Sequence, residues 1–173
     1  MAHSGGDPVP DKVLQKKPDI WRGRILRYAP LILWIGVIFL LSSGSGSMAS
    51  TSRIIRPLLE FLFPAASEES LQLMHFYIRK TAHFTEYAVL GYWALRAFTR
   101  TAAEWLRNHS YISAFVVVIV VASLDEFNQQ FISSRRGSIW DVVLDISGGI
   151  FAIAAWYFVS RLKRKRVGQQ LTR

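Results

Sequence analysis

Long apolar runs limit what this chain can fold into more than any other feature. Arg24–Ser43 (RILRYAPLILWIGVIFLLSS) and Ile112–Leu124 (ISAFVVVIVVASL) are predominantly apolar, and Phe151–Val159 (FAIAAWYFV) extends a third run that begins near Asp141. A less obvious fourth, Thr81–Thr99 (TAHFTEYAVLGYWALRAFT), is apolar apart from a few polar positions. A helix needs about 20 residues to cross a bilayer, and each run reaches that length with its flanks. The expected fold is therefore all-α: a polytopic membrane protein with about four transmembrane helices. Hydrophobic residues make up 51% of the chain, too much, in runs this long, for an ordinary soluble domain.

The short segment Arg53–Phe63 (RIIRPLLEFLF) is apolar on most faces, carries Pro57 near its start and is followed by Pro64. It reads as a short outer helix, either interfacial or re-entrant, after the Gly/Ser-rich breaker Gly44–Ser52. Ser67, Glu68 and Glu69 make a helix start: a capping hydroxyl, then acids at the positive end of the dipole. With no glycine or proline until Gly91, one helix is expected from Glu68 to Phe98. Three regions follow: residues 1–24 as a disordered cytoplasmic tail, 25–160 as the membrane domain and 161–173 as a basic cytoplasmic tail. The polar lead is long, and the first apolar run exceeds a usual signal-peptide core, so this run is expected to remain as a span.

The net charge of +9 would suggest nucleic acid in a soluble protein. Here the positive-inside rule accounts for it. With four spans and the N-terminus inside, 15 of the 21 basic residues fall on the cytoplasmic side. The expected location is the inner (cytoplasmic) membrane, multi-pass, with both termini inside; the partners are membrane lipids, with no nucleic acid. The chain has no cysteine, which removes disulfides, thiolate metal sites and thiol nucleophiles.

Ionisable residues then gather in the outer halves of three spans. Lys80, His83 and Tyr87 follow i, i+3, i+7 on one stripe, with Glu86 at its edge. Asp125 and Gln129 are i, i+4, with Glu126 beside them, and Asp141, Asp145 and Gly148 share a stripe on the last span. Arg135 lies in the outer loop between these two spans. His75 is expected in the exposed part of its helix with no special role. Charged groups at bilayer depth are costly and mark functional sites by default. The blander reading is a balanced ion-pair network holding the bundle together.

The chain resembles the VanZ-like membrane proteins. The resemblance rests on Lys80-x-x-His83-Phe84-x-Glu86-Tyr87-x-x-Leu90-Gly91, then Asp125-Glu126-x-x-Gln129, Arg135, Ser138-x-x-Asp141-Val142 and Asp145-x-x-Gly148, in order on separate helices. Asn128 stands where the family often has histidine, and Ser133-Ser134 where it often has proline and glycine. The resemblance implies a small cell-envelope membrane protein. The family's founding member is tied to resistance toward the glycopeptide teicoplanin, but the resemblance supplies no reaction.

Three functions compete on these residues. The first is action on a lipid-linked phosphate or cell-wall precursor. Lys80 and Arg135 would hold an anion, and His83 and Glu86 would move protons. Asp125, Glu126 and Asp141 would orient them or hold a divalent cation through oxygens. Gln129 completes this candidate catalytic set, with Tyr87, Asp145 and Gly148 supporting it. No helix carries a dedicated metal-ligand motif, so no metal ligand is assigned and no cofactor is required. The second is a non-catalytic binding or assembly protein, recognising a headgroup or glycopeptide. The third is an ion-coupled transporter, disfavoured because no repeat is visible.

Overall fold

The computed structural model describes residues 20–43, 48–130 and 138–171. Among them six helices and no strand occur: α1 (Ile20–Ser42), α2 (Met48–Leu62), α3 (Glu68–Thr99), α4 (Glu104–Asn108), α5 (Ser110–Gln129) and α6 (Ile139–Leu171). Three of them, α1, α5 and α6, are long and apolar enough by length and composition to cross a membrane. Their outward faces carry large apolar side chains such as Leu33, Leu40, Val116, Val120, Phe151 and Phe158, the surface that a bilayer rather than water accommodates.

The fourth long helix, α3, has 32 residues and is less apolar, carrying Glu68, Glu69, Arg79, Lys80, Glu86 and Arg96. It touches all five other helices. Its lower half buries Tyr87, Leu90, Gly91, Ala94, Leu95, Ala97 and Phe98 against α1, α5 and α6. Ser67 starts it: the side chain accepts from Ser70 N at 3.3 Å, and Glu68 and Glu69 occupy the first turn, as a helix N-terminus prefers.

The helices alternate in direction. Tyr28, early in α1, bonds Thr101 beyond the end of α3 at 2.7 Å. Ser42, at the end of α1, bonds Gln129 at the end of α5 at 2.7 Å. It follows that α3 and α6 run parallel, with Lys80 opposite Asp141, His83 opposite Asp145 and Tyr92 against Trp156. Their backbones meet. A Cβ on Gly148 would lie 2.2 Å from the Phe84 carbonyl oxygen, and one on Gly91 would lie 2.8 Å from that of Gly149. Small residues at such contacts let spanning helices pack without intervening side chains.

Three boundaries differ from the sequence reading. The helix after the first span begins at Met48, inside the expected breaker Gly44–Ser52, so Pro57 is interior rather than near the start; Gly44–Gly46 and Ser47 lie outside the described residues. Among the described elements it packs on α3, burying Leu59 and leaving Phe61 exposed, with Arg56 on its charged side bonded to Glu60 and Glu68. The hydrogen bond to Glu60, then the charge of Glu68, hold the Arg56 guanidinium above its ordinary range. At the other end α6 continues to Leu171, through the basic stretch read as a tail. Lys and Arg are good helix formers, so loss of apolarity ends the span without ending the helix. The first helix starts at Ile20, before the span expected from Ile25; the rest of the N-terminal tail lies outside the described residues.

Candidate functional site

The ionisable residues of α3, α5 and α6 meet at one end of the bundle, the end that carries α2. At its rim Lys80 Nζ pairs with Asp141 Oδ1; the two side chains are 28% and 16% exposed. One helical turn deeper, His83 Nδ1 lies 3.4 Å from Asp145 Oδ1, with Asp145 fully buried. The His83–Asp145 contact lacks hydrogen-bond geometry, and neither Asp145 oxygen has a hydrogen-bond partner. The parallel register produces this step: three residues separate Lys80 from His83 on α3, and four separate Asp141 from Asp145 on α6.

The third wall comes from α5. Asp125, Glu126 and Gln129 are all buried. Gln129 Nε2 donates to Asp125 Oδ2 at 3.0 Å and to Ser42 Oγ at 2.7 Å, which ties α1 to the cluster. Asp125 Oδ1 has no hydrogen-bond partner. Glu126 Oε2 accepts from Ser138 N at 2.9 Å, holding the start of α6, while Glu126 Oε1 is buried without a partner. The Ser138 hydroxyl in turn accepts from Trp140 N at 3.3 Å, a side-chain cap on α6. The Tyr87 hydroxyl is buried beside Asp125 without completing a hydrogen bond.

One nitrogen of His83 and one oxygen each from Asp125 and Asp145 lie within 4.8 Å of one another. This trio is the innermost part of the site. The oxygen set suggested by sequence, Asp125, Glu126 and Asp141, is not the one brought together: Asp141 turns to Lys80 and Glu126 to Ser138. Glu86 stands on the neighbouring flank of α3, half-buried, its backbone carbonyl accepting from Trp34 Nε1 at 2.9 Å. Arg135 lies outside the described residues. Gly148 forms the floor, where α6 meets the Phe84 carbonyl.

Two features escaped the sequence reading. Ser42, 4% exposed, sits at the end of an apolar run where a hydroxyl looks like an ordinary helix terminus. His75, expected to be exposed, is half-buried, with Nε2 buried and unpartnered.

An open groove of about 590 Å³ runs along the flank of α3, lined by Trp34, Tyr77, Ile78, Thr81, Glu86 and Val89 among others. Its α3 residues span Tyr77 to Val89, roughly 18 Å of helix at 1.5 Å per residue. The lining is mostly apolar, and the groove lies beside the polar cluster.

The VanZ/LLP1 family model matches residues 28–160. The chain belongs to that family. The match runs from the first turns of α1 past the middle of α6 and so covers every residue of the cluster; the basic end of α6 lies beyond it. No curated protein and no solved structure gives a significant match. Fold, membrane character and family thus agree for this VanZ/LLP1 protein, and its chemistry has to be argued from the cluster.

Proposed function

We propose that this VanZ/LLP1 protein sits in the cytoplasmic membrane with both termini inside and receives the anionic headgroup of a lipid-linked envelope intermediate at the polar end of the bundle. One observation carries the reading. Of the eight buried polar atoms without hydrogen-bond partners among the described residues, six gather at a single place, His83 Nδ1, Tyr87 Oη, Asp125 Oδ1, Glu126 Oε1 and both oxygens of Asp145; only His75 Nε2 and Arg96 Nη1 lie apart. A network built only to brace helices satisfies its members, because each unsatisfied buried group costs about 1–3 kcal/mol. A site that meets a polar guest leaves groups over.

Two further features support a lipid. The rim pair Lys80–Asp141 is partly exposed, so Lys80 can exchange its carboxylate for an arriving phosphate. The neighbouring groove has the length and apolar lining of a chain-binding strip. The orientation rests on charge: Arg161, Lys163, Arg164, Lys165 and Arg166 crowd the end of α6 away from the cluster, as expected of a cytoplasmic end.

The test uses the full chain in lipid nanodiscs, offered a polyprenyl phosphate or the matching neutral alcohol. Selective retention of the phosphate, weakened about tenfold or more by Lys80→Gln and unchanged by Arg53→Ala, supports the reading. Equal retention of the alcohol sinks it. Mass spectrometry of the recovered lipid separates enzyme from binder: altered lipid means turnover, and intact lipid means recognition alone. In cells, a deletion strain scored for envelope lipid intermediates and glycopeptide sensitivity should be rescued by the wild-type chain and not by Asp125→Asn.

A further inference from the structure

We infer that His83, Asp125 and Asp145 form a binding site for one divalent transition-metal ion, with Zn²⁺ the best chemical match. The inference shares a location with the headgroup reading and extends it, but stands on the trio's own geometry.

The donor set comes first. Nitrogen and oxygen atoms from three helices converge within 4.8 Å. Zinc held by nitrogen and oxygen at about 2.0–2.1 Å in tetrahedral geometry sets its donors roughly 3.3 Å apart. The His83–Asp145 pair already stands at 3.4 Å, so only Asp125 has to close in. One imidazole with two carboxylates leaves a coordination position open, as at catalytic zinc sites with three protein ligands. The imidazole argues against Mg²⁺ and Ca²⁺, which prefer all-oxygen shells.

Charge comes second. Asp125 is 1% exposed and Asp145 0%. Two ionised carboxylates at that depth cost several kcal/mol each unless compensated, and Lys80 is engaged by Asp141 at the rim. One divalent ion neutralises both while His83 stays neutral.

The third observation is independent of the acids as a cluster. Asp145 Oδ1 has only the 3.4 Å contact with His83 Nδ1, and neither Asp145 oxygen, nor Asp125 Oδ1, nor the fully buried Tyr87 hydroxyl beside Asp125 completes a hydrogen bond. Yet Asp125 is not loosely held. Gln129 fixes its other oxygen, and Ser42 fixes Gln129. A carboxylate with one oxygen anchored by an amide and the other pointing inward, free, is arranged as a ligand with an outer-shell support. Gln129 is a positioning residue in this arrangement.

The test reads metal alone, so it stands or falls separately from headgroup binding. The full chain, purified in detergent and stripped with a chelator, is titrated with Zn²⁺ and, as a spectroscopic stand-in, Co²⁺. One equivalent bound per chain, with visible Co²⁺ absorption of a low-coordinate nitrogen–oxygen site, is expected. Asp145→Asn and His83→Ala should each abolish the stoichiometric site. Gln129→Leu should weaken it about 10- to 100-fold, the usual cost of losing an outer-shell partner. Size-exclusion profile and helical circular dichroism establish that each variant is folded, and the Co²⁺ spectrum of the unaltered chain needs no variant. The inference is overturned if the folded wild-type chain binds neither ion, if Mg²⁺ competes equally, or if folded His83→Ala and Asp145→Asn retain the full equivalent.

Discussion

The two ends of the bundle are built by opposite rules from the same helices. At the end away from α2, α3 and α5 bury Ala94, Leu95, Ala97, Phe98 and Ala114, and the hydroxyls of Tyr28 and Thr101 bond each other. Apolar groups are packed, and only Arg96 Nη1, whose guanidinium lies over the Trp93 ring, is left buried without a hydrogen bond among the described residues at this end. At the α2 end the same helices, with α6, bury Asp125, Glu126, Gln129 and Asp145 and leave several of their oxygens without partners. The first end is what stability alone produces. The second spends stability on an arrangement that packing does not require, and such local inconsistency in a folded chain points to function.

Substitutions at each end can break or sharpen that contrast. The largest effect is expected from Gly148→Val, beneath the polar end. Its Cβ would fall 2.2 Å from a backbone oxygen of α3, which cannot rotate away, so α3 and α6 must part. The expected outcome is loss of the monodisperse folded species in detergent, measured by size exclusion.

Next comes Asp145→Asn. It should abolish rescue of the deletion strain while lowering the thermal midpoint far less than a core truncation, since Asp145 keeps only the 3.4 Å contact with His83 and the cost of burying its charge is removed with it. A midpoint that fell as far as in a core truncation would make the polar end a brace and erase the contrast.

Leu95→Ala at the packed end should behave in the reverse sense. Leu95 is fully buried, so the truncation should lower stability by about 2–5 kcal/mol. The folded fraction should still retain polyprenyl phosphate as tightly as wild type. Tyr28→Phe is the smallest perturbation. It removes one side-chain hydrogen bond, and the expected loss is about 0.5–1.5 kcal/mol, read as a small shift in thermal midpoint with full rescue in cells.

Much of this was legible in the sequence because local rules govern it. The cap at Ser67 and the absence of breakers marked α3 as one helix from Glu68, and helical spacing put Asp125 and Gln129 in contact on one face. Charge bias implied alternating directions that bring the polar residues to one end. What was not legible depends on register between helices. Spacing alone allows Asp141 or Asp145 to answer either Lys80 or His83. The close contact at Gly148 fixes the choice, because it sets how far α6 is slid along α3. For the same reason the trio His83, Asp125 and Asp145 could not be singled out from among five acids. The start of α2 was hidden by Met48–Ser52, whose serines and threonine read as the continuation of a loop. The helical extension of α6 was masked because its basic residues resemble a tail.

The central position of α3 also bears on how the protein is made. A helix carrying Lys80, His83 and Glu86 is a poor candidate for spontaneous entry into lipid, and it leaves the ribosome before α5 and α6 exist to shield it. Stable seating of α3 therefore has to wait for its C-terminal neighbours. A nascent chain stopped before Ser110 should leave α3 only loosely inserted, and extension through α6 should draw it in. The element that organises the finished bundle is then the last to become secure during biosynthesis.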